Sequence, residues 1–256
     1  MEIVLHNMFK KFVKYCDSIL NPIIGEVWEF HRITSTPSVD TRYAPFDITP
    51  ERLESIIVEY IDKGYKFISI DEVCDMLSSL KTKSSIQRFY TALMCKKFIC
   101  VTLDDGYEDN YTNAYSIFQK YNIPFCIYIT TSYIENIFLA RVDTPPSLKE
   151  WQIYVMSQNP LCTIGAHTMT HPNMATLSDN QQRMELEGSI DRLERLIHKK
   201  IKHITIPYGS YNRTTIQLVS ELGIRSNVKG WGGPIRMNST VNDIPRIIIE
   251  QNKKTF

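Results

Sequence analysis

Two adjacent carboxylates ahead of a glycine, Asp104-Asp105-Gly106, and two histidines four residues apart, His167 and His171, are the groups in this sequence best suited to chemistry. Neighbouring residues leaving a strand point to different sides, so the two aspartates can divide the work. One can ligate a metal, while the other stays unligated beside the attacking water and takes its proton. Gly106 permits a tight backbone turn close to a ligand. Spaced i, i+4, His167 and His171 would face a single ion from one helical turn, and Pro172 stiffens the chain just after them. Two imidazoles and one carboxylate leave open positions for water and substrate, as a catalytic site requires. Pro207-Tyr208-Gly209 is a turn sequence whose backbone N–H groups can bind a developing oxyanion. Any one of these motifs also fits a solvated turn or a surface histidine. Their joint occurrence, each at the end of an apolar run, favours a site.

The elements that must position them alternate along the chain. Apolar runs at 27–33, 66–70, 97–103, 125–130, 161–166, 203–206 and 244–250 read as strands. Helical patterns separate them: from Pro50, capped by Thr49, to Gly64; 71–80 with Asp71 as cap; 111–121; 148–157; 178–198 capped by Ser178; and 214–222 ended by Gly223. Alternation implies parallel pairing through right-handed crossovers. About seven such units suit a barrel better than an open sheet, and in a barrel the chemistry sits where strands end. Asp104, His167 and the Pro207 turn all follow strands, and His31 closes the first one.

At 256 residues the chain suits one domain, and its formal charge of +1 calls for neither nucleic acid nor an anionic membrane as partner. Residues 1–24 form an amphipathic N-terminal helix region. Within it, residues 8–20 could dock on the parent domain or lie on a membrane. No basic, apolar leader opens the sequence, and no run reaches the ~18 apolar residues of a spanning helix, so a cytoplasmic location is expected. The six cysteines lack CxxC spacing; several sit in apolar runs and read as free buried thiols, which favours a reducing compartment.

Together the motifs resemble the polysaccharide deacetylase family, carbohydrate esterase family 4 or the NodB homology domain. Its three signatures stand here as Thr102-Leu103-Asp104-Asp105-Gly106, His167-Thr168-Met169-Thr170-His171-Pro172 and Pro207-Tyr208-Gly209, in the family's order. The resemblance implies that residues 25–256 are a single NodB-like deacetylase domain of the α/β class, a distorted (β/α) barrel with about seven parallel strands. It further implies a divalent metal, commonly zinc, held by Asp105, His167 and His171. Asp104 would be the base and the Tyr208 N–H part of the oxyanion hole. Two departures stand out. Thr205 occupies the place of an arginine usual two residues before Pro-Tyr-Gly, and no histidine follows His203, where most members carry their acid. Both are resolved by resemblance to the circularly permuted poly-N-acetylglucosamine deacetylases. There a Tyr-His-x-Val-like element precedes the Asp-Asp motif, as Phe30-His31-Arg32-Ile33 does here. His31 is then the acid, and Arg246 replaces the missing arginine and orients Asp104. The implied substrate is an N-acetylated carbohydrate. Alternatives are O-acetyl ester or non-sugar amide hydrolysis at the same site, and a catalytically silent glycan-binding barrel.

Overall fold

A computed structural model of the chain describes residues 21–84, 87, 97–138, 143 and 145–252. The expected amphipathic region, with Cys16, and Cys95 too, lies outside the described residues. Strand β1 (Ile23–Phe30) is followed by a short parallel pair, β2 (Arg32–Ile33) and β3 (Asp47–Ile48). Helix α1 (Pro50–Asp62) starts as its sequence predicts, with the Thr49 hydroxyl accepting the Arg52 N–H, and it buries Leu53, Ile56, Ile57 and Tyr60. Then come β4 (Lys66–Phe67), α2 (Ile70–Lys81), β5 (Phe98–Leu103), α3 (Tyr115–Tyr121) and β6 (Phe125–Ile129). The second half runs α4 (Glu150–Gln158), β7 (Cys162–Ala166), α5 (Asp179–Ile197), β8 (His203–Thr205), α6 (Arg213–Glu221), β9 (Ser226–Val228), β10 (Ile235–Arg236) and β11 (Ile247–Ile248).

Several boundaries differ from expectation. The first strand begins four residues earlier and stops at Phe30, so His31 stands just beyond it. Strand β4 is short because Ile70 already belongs to α2, whose cap is Ser69 in a reciprocal pair with Glu72. Asp71, expected as the cap, instead binds Arg225 and His203. The segment from 224 to 243, expected as a connection, holds β9 and β10. Their short, partly polar sequences take strand form because β8 and the start of β1 offer pairing edges.

Strands β1, β5, β6, β7, β8 and β9 pair in parallel in that order. The chain's last segment closes the circle: Val228 bridges Ile244 in parallel, and β11 pairs β1 through Trp28–Ile247 and Glu29–Ile248. These make the seven parallel staves of a (β/α) barrel, while β10 adds an antiparallel edge on β1.

Side chains alternate across each stave. Ile99, Val101 and Leu103 of β5, Phe125, Ile127 and Ile129 of β6, and Ile164 and Ala166 of β7 join the helices in one apolar cluster. Their alternates Phe98, Cys100, Cys126 and Tyr128 form a second cluster with Val27, Val228 and Ile244 in the lumen. Helix α2 packs Val73, Cys74 and Leu77 onto this second cluster. Its Asp71 contact with His203, the first residue of β8, sets it at the end where strands begin. The thiols of Cys74, Cys100, Cys126 and Cys162 are free and buried, and burial raises each pKa, that of Cys74 to about 11. Continuing the alternation beyond the apolar residues turns Glu29, Thr102, Asp104, His167, Thr205 and Arg246 into the opposite end of the lumen. The site is thus the uppermost layer of the barrel's filling.

That filling leaves little slack. A Cβ on Gly165 would stand 2.4 Å from the Tyr128 ring and 3.0 Å from the His203 carbonyl oxygen. Gly165→Ala is expected to lower unfolding free energy by about 1–3 kcal/mol. Chemical denaturation measures this, and an unchanged midpoint would contradict so close an approach of β6, β7 and β8.

Candidate active site

Three stretches of strained backbone, with four left-handed residues between them, deliver the polar residues. Asp105, Thr168, His171 and Tyr208 have φ of 73°, 64°, 61° and 59°, four of the seven described non-glycine residues with positive φ. Each such residue costs on the order of 1–3 kcal/mol, so backbone strain is concentrated here. The Asp104 N–H still bonds the Phe30 carbonyl at 2.9 Å, extending the strand pairing by one residue. Left-handed Asp105 and Gly106 (φ 81°) then turn the chain, and a Cβ on Gly106 would approach Ile129 to 3.1 Å.

His167 and His171 do not share a helical turn, as their spacing suggested. They lie at the two ends of a loop, 167–171, which left-handed Thr168 and left-handed His171 fold back. Glu185 of α5 pins that loop, accepting the Met169 and Thr170 N–H groups at 2.8 and 2.9 Å and the Thr170 hydroxyl at 2.6 Å. The result is the convergence expected of a helix, by another route. Asp105 Oδ1 lies 3.5 Å from His167 Nε2 and 3.3 Å from His171 Nε2.

These three groups fit a metal ion. Ligand atoms ~2.0–2.1 Å from a tetrahedral zinc stand roughly 3.3 Å apart, close to both distances. Asp105 Oδ1 is buried without a hydrogen-bond partner, a costly state for a carboxylate oxygen unless a cation satisfies it. The His167 Nδ1 lies 2.8 Å from the Thr205 carbonyl oxygen, which can only accept. Nδ1 therefore carries the proton and Nε2 keeps its lone pair for the ion. His171 Nδ1 lies 3.1 Å from the Tyr208 hydroxyl. Burial raises the Asp105 pKa, but the two imidazoles outweigh it and hold the carboxyl well below the ordinary range.

A second cluster lies beside the first. Arg246, fully buried on the closing segment, forks Asp104 with Nη1–Oδ1 at 2.7 Å and Nη2–Oδ2 at 2.6 Å. Its remaining N–H groups reach Thr102 Oγ1, Thr205 Oγ1 and the Lys229 carbonyl. Thr205, where the family usually carries arginine, is thus one of the groups that hold this arginine. Glu29 Oε2 lies 3.2 Å from Arg246 Nε yet accepts no hydrogen bond, because the single Nε proton goes to Lys229. Burial pushes the Glu29 pKa well above normal, with Arg246 opposing. For Asp104, burial acts upward too, but the guanidinium prevails and the pKa falls. Arg246 thus favours the ionised form of Asp104, while burial disfavours a charge on Glu29. Ligand atoms of Glu29, His31 and Asp104 also gather within 4.8 Å, but Arg246 already supplies the positive charge there.

His31 lines the same cavity of about 260 Å³ as Asp104, Asp105, His167 and His171. Its Nε2 is 3.7 Å from Glu29 Oε1, and Nδ1 is buried without a partner. Burial lowers its pKa, with Asp105 and Asp104 opposing. Tyr208, half-exposed, and Trp231 stand at the mouth. All seven residues singled out in the sequence thus meet in one cavity. Glu29, Tyr107 and Trp231 were missed. For Glu29 a signal existed, since two residues before His31 on a strand is the same face.

The fold is a (β/α) barrel whose mouth holds a set of two histidines and one aspartate beside an arginine-held aspartate. Residues 93–226 match the family model described as polysaccharide deacetylase, about half of the chain, and the protein belongs to that family. The Bacillus subtilis protein YxkH is 28% identical over 167 residues, 65% of this chain and 53% of that one. A poly-beta-1,6-N-acetyl-D-glucosamine N-deacetylase of Staphylococcus aureus is 26% identical over 162 residues, covering 61% and 56%. The chain thus spans about half the length of the curated relatives it matches. Among solved structures, the Streptococcus pyogenes deacetylase PplD in complex with acetate superposes with a TM-score of 0.73 at 25% identity, over 89% of this chain and 92% of that one.

Removing the guanidinium should unbalance the buried carboxyls. Arg246→Met is expected to cost about 3–5 kcal/mol of stability, and Asp104→Asn in that background to recover part of it. Denaturant titration of the single and double variants checks this; full stability of Arg246→Met would show the fork to be dispensable.

Proposed function

We propose that the protein is a zinc-dependent hydrolase that removes acetyl groups from N-acetylated sugars of a polysaccharide or its precursor. The observation that carries this reading is the pairing of an orphaned, metal-ready Asp105 with an adjacent Asp104 that Arg246 keeps ionised and outside the ligand set. A glycan-binding barrel has no use for the second carboxylate. Acetate bound to PplD, and the N-deacetylase named among the S. aureus relatives, support the acetyl group and the amino sugar.

Bound at Asp105, His167 and His171, the ion supplies Lewis acidity that polarises a carbonyl and acidifies water. Asp104 then accepts the proton of the attacking water. With its Oδ atoms forked by Arg246, the carboxylate cannot rotate away, and it stays ionised between turnovers. The Pro207–Gly209 turn holds Tyr208 left-handed and uses the Gly209 N–H on the Ile206 carbonyl at 3.0 Å. The Tyr208 N–H is the donor we assign to the developing oxyanion. His31, with a ring nitrogen within 4.8 Å of an Asp104 carboxylate oxygen, gives its proton to the departing nitrogen, which as an anion would be a poor leaving group. Burial raises the Glu29 pKa and so disfavours a further negative charge beside His31 and Asp104.

Acetate release from N-acetylglucosamine oligomers tests the reading. Activity should vanish in chelator and return with zinc, and Asp104→Asn should keep the metal yet lose ~10²–10⁴-fold in rate. Full activity in chelator, or a fully active Asp104→Asn protein, would refute it. His31→Ala should depress amide hydrolysis far more than hydrolysis of an activated acetyl ester, whose leaving group needs no proton. Equal losses on the two substrates would remove His31 from the acid's role.

A further inference from the structure

Each of the three ligand side chains has one partner outside the ligand set. For His167 it is the Thr205 carbonyl and for His171 the Tyr208 hydroxyl. For Asp105 it is the Tyr107 hydroxyl, which donates to Oδ2 at 2.6 Å. The two oxygens of this carboxylate are therefore unequal: Oδ1 faces both histidines with no hydrogen bond, while Oδ2 is engaged on the other side.

The tyrosine is held by contacts besides the aspartate. Tyr107 is 1% exposed, its backbone bridges Ser147, and its ring meets Phe138 edge-on at 5.0 Å between centroids. Phe138 is itself tied through its N–H to the Pro145 carbonyl at 2.8 Å. Backbone and ring contacts thus fix the hydroxyl, and the strained Asp105 conforms to it.

We propose that Tyr107 is a positioning residue that confines Asp105 to one-oxygen ligation of the metal, keeping the ion's remaining positions for water and substrate. This rests on the metal reading above. A carboxylate free to turn would offer both oxygens, and the second would occupy a place the reaction needs. The hydroxyl removes that option by holding Oδ2 in a charge-assisted hydrogen bond.

Tyr107→Phe deletes the hydroxyl and keeps the ring. Zinc affinity, read by competition with a chromophoric chelator, should weaken ~10–100-fold. The visible absorption of the cobalt(II)-substituted variant should shift from the intense bands of a four-coordinate site to the weaker bands of a five-coordinate one. Unchanged affinity and unchanged cobalt bands would overturn the proposal. X-ray absorption at the zinc edge of the wild-type protein decides independently of whether the variant folds: one carboxylate oxygen is expected, and two would overturn it. A wild-type protein that binds neither zinc nor cobalt would instead bring down the metal reading itself, and this proposal with it.

Discussion

The top of the barrel depends on a buried guanidinium shared unequally between two carboxyls. Arg246 forks Asp104 through two short hydrogen bonds and leaves Glu29, 3.2 Å from its Nε, without one. Desolvating an ion costs several kcal/mol, so a buried layer tolerates one matched pair far better than an extra charge. Against burial, Arg246 lowers the pKa of Asp104; burial raises that of Glu29 and lowers that of His31, where Asp105 and Asp104 oppose it.

Arg246 reaches this place because the chain's end closes the barrel. The segment from Ile244 to Ile248 inserts between β9 and β1, and side-chain alternation sends Ile244 and Arg246 inward. Closure and charge compensation are therefore one event. The same segment supplies parallel pairing to both flanking staves, and its arginine holds Asp104 just beyond β5 and Thr205 on β8. In a family where the arginine usually precedes Pro-Tyr-Gly, the threonine at that position still participates, as an acceptor for an arginine arriving from a different stave.

Strain and support divide by residue. The metal-ready groups sit on left-handed backbone at Asp105 and His171, a conformation unfavourable to both residues. Their surroundings over-determine them: Glu185 holds the loop before His171, Tyr107 holds Asp105, and the Thr205 carbonyl fixes the His167 tautomer. Rigid supports on α5, β8 and the segment after Gly106 thus maintain a ligand geometry that the local sequence alone would abandon.

The seven candidate residues and the barrel were legible in the sequence because both rest on local signals. Apolar runs of period two, helix caps such as Thr49 and Ser178, and polar residues at strand ends each have a physical cause within a few positions. What the sequence alone left undetermined came from distant partners. Strands β9 and β10 carry weak strand signals and exist through the edges they meet. The i, i+4 spacing of His167 and His171 pointed to convergence through a helical turn, whereas a loop that Glu185 ties down from α5 brings the two imidazoles together. Glu29 and Tyr107 look like ordinary strand and turn residues until closure sets an arginine beside one and a ligand carboxylate beside the other. Spacing along the chain determined which groups this protein has for chemistry. Which of them carry charge, and which oxygen of Asp105 is left open, only the tertiary structure decided, because burial and the partner across the lumen set both.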